Sequence, residues 1–88
     1  MSANPFTVFF TRRARKDLDK LDKQVVGRIA PVVDALVANP RPPGCLKVKG
    51  EPQLWRIRVG DWRIGYEIDD AARTVTVIRV GHRRDFYD

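Results

Sequence analysis

The sequence predicts a single α+β domain over residues 1–88, in which two N-terminal helices pack on one face of a largely antiparallel sheet. Three observations predict this fold class. Apolar residues recur every three to four positions as far as Leu36, and from Leu54 they recur every second position. The pair Gly60-Asp61 separates two such alternating runs, as in a β-hairpin. The resulting order of elements is β-α-α-β-β-β.

The first strand and the first helix lie close together. Residues 6–10 (FTVFF) are β-branched or aromatic, which predicts a strand. Thr11 follows and is a suitable N-cap residue for a helix. An apolar stripe at positions i, i+4 and i+7 then defines that helix: Ala14, Leu18 and Leu21.

A second helix is predicted from Asp22, as its N-cap, to Asn39, which precedes Pro40. Pro31 lies inside this span. Its ring removes one backbone hydrogen bond and crowds the preceding turn, which predicts one kinked helix rather than two helices. Residues 39–44 (NPRPPG) are rich in proline and glycine, so they predict a stiff, irregular connection to the sheet.

The remaining strands form a hairpin and a central strand. Residues 54–59 and 62–68 alternate, and a two-residue loop with glycine first is typical of a type II′ turn. Residues 74–80 (TVTVIRV) are apolar on both faces, as expected of a central strand. Residues 81–88 (GHRRDFYD) form a polar tail.

A two-residue hairpin fixes its own register, which places Arg58 opposite Arg63 and Arg56 opposite Gly65. Directly opposed residues share a side, so these arginines stand together on the face away from the helices. The other face forms the core: Trp55, Ile57, Val59, Trp62, Ile64 and Tyr66. Facing arginines repel by a few tenths to about 1 kcal/mol. A bound phosphate would explain them, because guanidinium groups bind phosphate oxygens in pairs. An ordinary salt bridge between Glu67 and Arg56 is the alternative, but Glu67 cannot neutralise all three arginines.

Glycine at position 65 fits this hypothesis, because it lets a ligand approach the floor of the sheet. A simple bulge would explain the same glycine. In the tail, His82 is the one histidine, and its imidazole can exchange a proton near neutral pH. Tyr87 offers a phenol and a stacking surface for a base, or an anchor that holds the C-terminus against the sheet.

Seventeen lysines and arginines against eleven acidic residues give a net charge of +6, which favours a polyanionic partner. Nucleic acid leads, and an acidic protein is also compatible. The lone Cys45 has no disulfide partner and no second thiolate for a metal site. No apolar run approaches the ~20 residues of a membrane span, and residues 1–10 do not resemble a signal peptide. We therefore expect a cytoplasmic protein with no membrane partner, metal or cofactor.

Four segments, taken in this order, resemble the RelE/ParE toxin superfamily of bacterial type II toxin–antitoxin pairs. They are residues 14–21 (ARKDLDKL), 39–50 with the NP…LK..G pattern, 55–68 (WRIRVGDWRIGYEI) and 80–87 (VGHRRDFY). The resemblance implies the RelE-like fold and a cognate, RelB-like antitoxin. For the RelE-like branch it implies a ribosome-dependent mRNA endoribonuclease (mRNA interferase). Such an enzyme inhibits translation without a metal, by attack of a 2′-hydroxyl on the adjacent phosphate.

The resemblance also implies site residues. The expected catalytic residues are Arg58, Arg63, Arg83, Tyr87 and His82, and the expected RNA-binding residues are Lys47, Lys49, Arg56, Gly65 and Arg84. By analogy Tyr87 is the base for the 2′-hydroxyl, Arg83 lies at the leaving 5′-oxygen, and Arg58 with Arg63 stabilises the phosphorane.

One departure from the family concerns the base. Some relatives carry lysine at the positions of Arg56 and Arg58, and arginine cannot act as a neutral base. Proton transfer then falls to Tyr87 or to His82.

Two other functions are compatible with the predicted fold and the positive charge. A ParE-like toxin would inhibit DNA gyrase without RNA chemistry, and a non-catalytic nucleic-acid-binding domain would use the arginines only to hold phosphate. The combination of Arg58, Arg63, Arg83 and Tyr87 favours the ribonuclease.

Overall fold

The computed structural model describes residues 5–85, which form two helices, five strands and a short 3₁₀ helix. The elements in chain order are β1 (Thr7–Phe10), α1 (Arg12–Asp19), α2 (Lys23–Ala35), β2 (Leu46–Lys47), β3 (Leu54–Val59), β4 (Trp62–Asp69), β5 (Thr74–His82) and a 3₁₀ helix (Arg83–Asp85). Neither helix in this part of the chain has the length and apolar character needed to cross a membrane.

The strands form one five-stranded sheet in the order β1-β5-β4-β3-β2. The pairings from β2 to β5 are antiparallel, and β1 lies parallel to β5. The predicted α+β fold is therefore confirmed, with the two-residue edge strand β2 as an addition. The hairpin is also confirmed as type II′: Gly60 has φ +61°, whereas Asp61 does not have a positive φ.

Three element boundaries differ from the predicted ones. The second helix ends at Ala35 rather than Asn39, because the amides of Leu36 and Val37 bond three residues back and tighten the chain into turns. The first strand starts at Thr7, since the Phe6 amide donates to the Val37 carbonyl instead of to the sheet. The last strand continues beyond Val80 to His82, where it pairs with Trp62 at the end of β4.

The core lies between the helices and one face of the sheet. Its largest fully buried side chains are Tyr66, Ile29, Leu36, Ile64, Val75 and Val77. All six predicted core residues of the hairpin belong to it or pack against it. The helix α2 remains continuous through Pro31. Burying each large apolar side chain stabilises the fold by roughly 1.5–3 kcal/mol, so the side chains on this face of the sheet serve to hold the fold together.

The start of α1 covers the edge of β5 beyond the end of β1. Thr11 caps the helix as predicted, since its Oγ1 accepts from the Ala14 amide at 3.1 Å. The same hydroxyl donates to the Ile78 carbonyl at 2.8 Å. One turn later, Oδ2 of Asp17 accepts from the Val80 amide at 2.9 Å. These side chains form hydrogen bonds with backbone groups of β5 that have no strand beside them, and so they hold β5 in place.

The proline-rich connection is pinned to the sheet. Tyr66 donates its hydroxyl to the Pro40 carbonyl at 2.8 Å, and burial raises the pKa of this phenol well above its usual value. Arg41 donates to both carboxylate oxygens of Asp70, at 3.1 and 2.8 Å, and its guanidinium lies 5.1 Å from the Trp55 ring centre. This bonding lowers the pKa of Asp70 and raises that of Arg41. The loop therefore fixes the end of the sheet that lies away from the hairpin turn.

Candidate nucleic-acid interface

The register of the hairpin places three arginines on the face that the helices leave open. Arg58 lies directly opposite Arg63, and Arg56 lies opposite Gly65, as predicted. We call the surface formed by these four residues the arginine face. Arg58 is exposed and Arg56 is half-buried, whereas Arg63 is only 9% exposed. The arginines surround a buried glycine on the central strand β4, which forms the floor of this face.

Like charges on neighbouring strands weaken the sheet that carries them. Glu67 is on the same face, opposite Leu54 and Thr76 and diagonal to Arg56. An anion between Arg58 and Arg63 would accept hydrogen bonds from both guanidinium groups and convert their repulsion into binding. The arrangement is thus chemically suited to a phosphate group.

A fourth arginine, Arg79, joins this face although the predicted site does not include it. Gly65 pairs with Arg79 and Tyr66 pairs with Val77, so Ile78 is an extra residue on β5. This β-bulge reverses the alternation of β5 and brings Arg79 to the side of Gly65. Strict alternation from Val77 would have placed it in the core. The arginine within an otherwise apolar strand is the only sequence signal that could have suggested this position.

The 3₁₀ helix that follows β5 lies beside the turn of the hairpin. The amide of Arg83 donates to the Asp61 carbonyl at 2.7 Å, which ties the 3₁₀ helix to the turn next to Arg58 and Arg63. Arg83 and Arg84 are both exposed. The structure therefore brings Arg83 to the same end of the molecule as the facing arginines. Tyr87, the predicted base, lies outside the described residues.

His82 lies on the other face of the sheet. It pairs with Trp62, whose neighbours on that face form the core, and the two rings meet edge to face with centroids 5.4 Å apart. Its Nδ1 accepts from the Arg84 amide at 3.3 Å, which places the proton of the neutral ring on Nε2. The structure therefore separates His82 from Arg56, Arg58 and Arg63, which lie on the opposite face of the sheet. The contacts of His82 suit it to holding the tail.

The two predicted lysines are not grouped with the arginines either. Lys47 pairs with Trp55, so its register position is on the helix side at the edge of the sheet. Its neighbour Leu46 pairs with Arg56 and is 52% exposed on the open side. Lys49 is exposed in the turn after β2. Within residues 5–85, no three His, Cys, Asp or Glu side chains cluster closely enough to hold a metal.

The chain matches a known family and several solved structures. A family model described as the ParE toxin of type II toxin–antitoxin systems, parDE, matches residues 8–87. The toxin RelG of Mycobacterium tuberculosis is 34% identical over 84 residues, which are 94% of this chain and 97% of that protein.

Solved structures agree with the sequence comparisons. In the crystal structure of the toxin–antitoxin complex RelBE2 from Mycobacterium tuberculosis, the matching chain is 33% identical with a TM-score of 0.79, over 90% of this chain and 99% of that one. The intact RelBE toxin–antitoxin complex of E. coli contains a chain that is 26% identical with a TM-score of 0.78, over 88% and 95% of the two chains. The fold that the sequence resemblance implied is thereby confirmed.

Proposed function

Because this chain belongs to the RelE/ParE superfamily of type II toxins, and within it resembles the RelE branch, we propose that it is an endoribonuclease that inhibits translation by cutting mRNA on the ribosome. The observation that carries the proposal is the pairing of Arg58 with Arg63 beside the glycine floor at Gly65. Two guanidinium groups at this spacing are suited to binding one phosphate group. A ribosome-bound substrate would place the reaction in the cytoplasm.

The proposed reaction is an attack of the ribose 2′-hydroxyl on the neighbouring phosphorus. The new bond joins the 2′-oxygen to phosphorus, and the bond from phosphorus to the 5′-oxygen breaks. The products are a 2′,3′-cyclic phosphate and a fragment with a 5′-hydroxyl. Arg58 and Arg63 stabilise the charge that develops on the phosphorane oxygens, a contribution worth about 10²- to 10³-fold in comparable sites. Arg83 stabilises the leaving oxygen, which takes up a proton from solvent.

The proton of the attacking hydroxyl goes to Tyr87. His82 is placed on the helix side of the sheet, so we assign it the support of the tail rather than proton transfer. An ordinary tyrosine is mostly protonated at neutral pH, and the phenolate would need the positive field of the arginines to form. General base catalysis of this kind contributes roughly 10²- to 10⁴-fold.

An antitoxin is the expected protein partner. Both solved relatives described above are complexes of a toxin with its antitoxin. The net charge of +6 would attract an acidic segment, which could fold onto the basic surface and cover it. We propose that a RelB-like antitoxin silences this protein by occupying the surface that binds RNA.

Inhibition of DNA gyrase is the alternative function, because the matching family model is described as a ParE toxin. Expression in bacteria separates the two functions. Mapping of new mRNA 5′ ends against the reading frame tests the ribonuclease, and an assay for double-strand DNA breaks tests gyrase poisoning. We expect new ends inside coding sequences and intact DNA. DNA breaks without new mRNA ends would replace the proposal by its alternative.

A further inference from the structure

A groove of about 450 Å³ lies between α1 and the C-terminal end of β5. The edge of β5 separates this groove from the arginine face. The groove lining comes from α1, from the residues directly after it and from the adjoining ends of β4 and β5, and it includes Arg13, Asp17, Lys20, Trp62, Arg79 and His82. We call it the α1–β5 groove. Its volume is within the range of sites that hold a small molecule or one unit of a polymer.

The groove is basic. Arg13, Lys20 and Arg79 give three positive charges, and Asp17 gives one negative charge, so the lining carries +2 with His82 neutral. The carboxylate of Asp17 is already engaged, since Oδ2 accepts from the Val80 amide and Oδ1 lies 3.8 Å from Nε of Arg13. Side chains of Arg13 and Lys20 are exposed to solvent. The groove therefore has cations available at its rim and an acid that is used for the fold.

Arg79 connects this groove with the arginine face. It pairs with Gly65, which pairs with Arg56, so Arg56 and Arg79 flank the glycine on the two neighbouring strands. Two strand spacings place their backbones about 10 Å apart, a gap that two arginine side chains and one phosphate can bridge. The β-bulge at Ile78 is what brings Arg79 to this side.

We propose that the α1–β5 groove is a second RNA subsite, which holds the phosphate of a nucleotide flanking the one that is cut. The strand crosses the glycine floor, passes Arg79 at the edge of β5 and reaches Arg13 and Lys20. The half-buried rings of Trp62 and His82 give the groove an aromatic wall against which a base can stack. This inference rests on the proposed function and adds a route for the RNA beyond the reacting phosphate.

The test measures RNA binding rather than cleavage. The probe is a fluorescein-labelled, fully 2′-O-methylated RNA of twelve nucleotides, which lacks the attacking hydroxyl. Anisotropy gives its affinity for the full chain between 50 and 200 mM salt. Each phosphate contact contributes about 0.7 to the slope of log affinity against log salt for a single strand. We expect Arg79→Gln, and separately the double variant Arg13→Gln/Lys20→Gln, to lower that slope by about 0.7.

The matched control is Arg12→Gln/Arg15→Gln, which removes the same charge from the same helix at exposed positions outside the groove. It should leave the slope unchanged. A three-nucleotide probe is too short to reach from Gly65 into the groove, so it should bind the parent and the groove double variant equally.

Equal effects of the groove and control double variants would overturn the inference, because they would show a general effect of charge. The inference also fails if the groove double variant keeps its affinity for RNA and instead loses affinity for an acidic peptide. In either case Arg58→Gln would still weaken RNA binding, and the proposed function would stand. If neither probe binds the parent, the inferred subsite is overturned, whereas the proposed function is judged separately by cleavage of mRNA on the ribosome.

Discussion

Replacing Arg58 by glutamine tests two effects of the arginine face separately: its effect on the free energy of unfolding and its effect on the rate of cleavage. Arg58 is exposed and faces Arg63, whereas Arg63 is nearly buried, so a change at Arg63 would mix packing with charge. Opposed side chains begin about 5 Å apart. At a charge separation of about 6 Å the repulsion is ~0.7 kcal/mol in water, and salt screens part of it.

Arg58→Gln should therefore leave the free energy of unfolding unchanged or raise it by up to about 0.5 kcal/mol, within the range measured for opposed like charges. In a domain of this size that corresponds to a rise in melting temperature of up to about 4 °C. The rise should disappear near 1 M salt, where the screening length falls to about 3 Å. Cleavage of ribosome-bound mRNA should fall about 10²- to 10³-fold through the lost charge stabilisation.

The assays are thermal unfolding at low and high salt and single-turnover cleavage of mRNA on purified ribosomes. Arg15→Gln, an exposed change on α1, is the control and should alter neither result. A melting temperature several degrees below that of the parent, together with cleavage within threefold of the parent rate, would refute the reasoning. Arg58 would then be a structural residue.

Four other substitutions have distinct expected results. Gly65→Val adds strand propensity but fills the glycine floor, so we expect a folded protein with little cleavage; full activity in a toxicity assay would exclude the clearance role. Tyr66→Phe removes the donor to the buried Pro40 carbonyl, which should cost about 1 kcal/mol in chemical denaturation and leave cleavage unchanged. Tyr87→Phe should slow cleavage at least a hundredfold with ribosome binding retained, whereas His82→Asn, which keeps an acceptor near Nδ1 but removes a ring from the groove wall, should slow cleavage far less. The reverse pattern in those two variants would assign proton transfer to His82.

Much of the fold was predictable because its elements depend on local patterns. The alternation on either side of Gly60 sets the hairpin register, and that register alone places Arg58 beside Arg63. Thr11 was identifiable as a cap because the helix stripe starts three residues later. The end of α2 was not predictable, since the turns at Leu36 and Val37 satisfy the same apolar spacing as a helix.

The parts of the site that could not be predicted depend on distant contacts. The bulge at Ile78 is stabilised when Thr11, 67 positions earlier, donates to its carbonyl, and within residues 74–80 only the isolated Arg79 hints at it. Arg79 was therefore missed. The position of His82 on the helix side was unpredictable for a related reason, because it follows only from the extension of β5.

The most direct test of the central claim is a reconstituted reaction with purified ribosomes that carry one defined mRNA. The parent protein should cut that mRNA in the ribosome and leave a 2′,3′-cyclic phosphate on one fragment and a 5′-hydroxyl on the other. Replacing the attacking 2′-hydroxyl by hydrogen should abolish the cut while the protein still binds. Intact mRNA with the parent protein, or a cut that survives loss of the 2′-hydroxyl, would contradict the account.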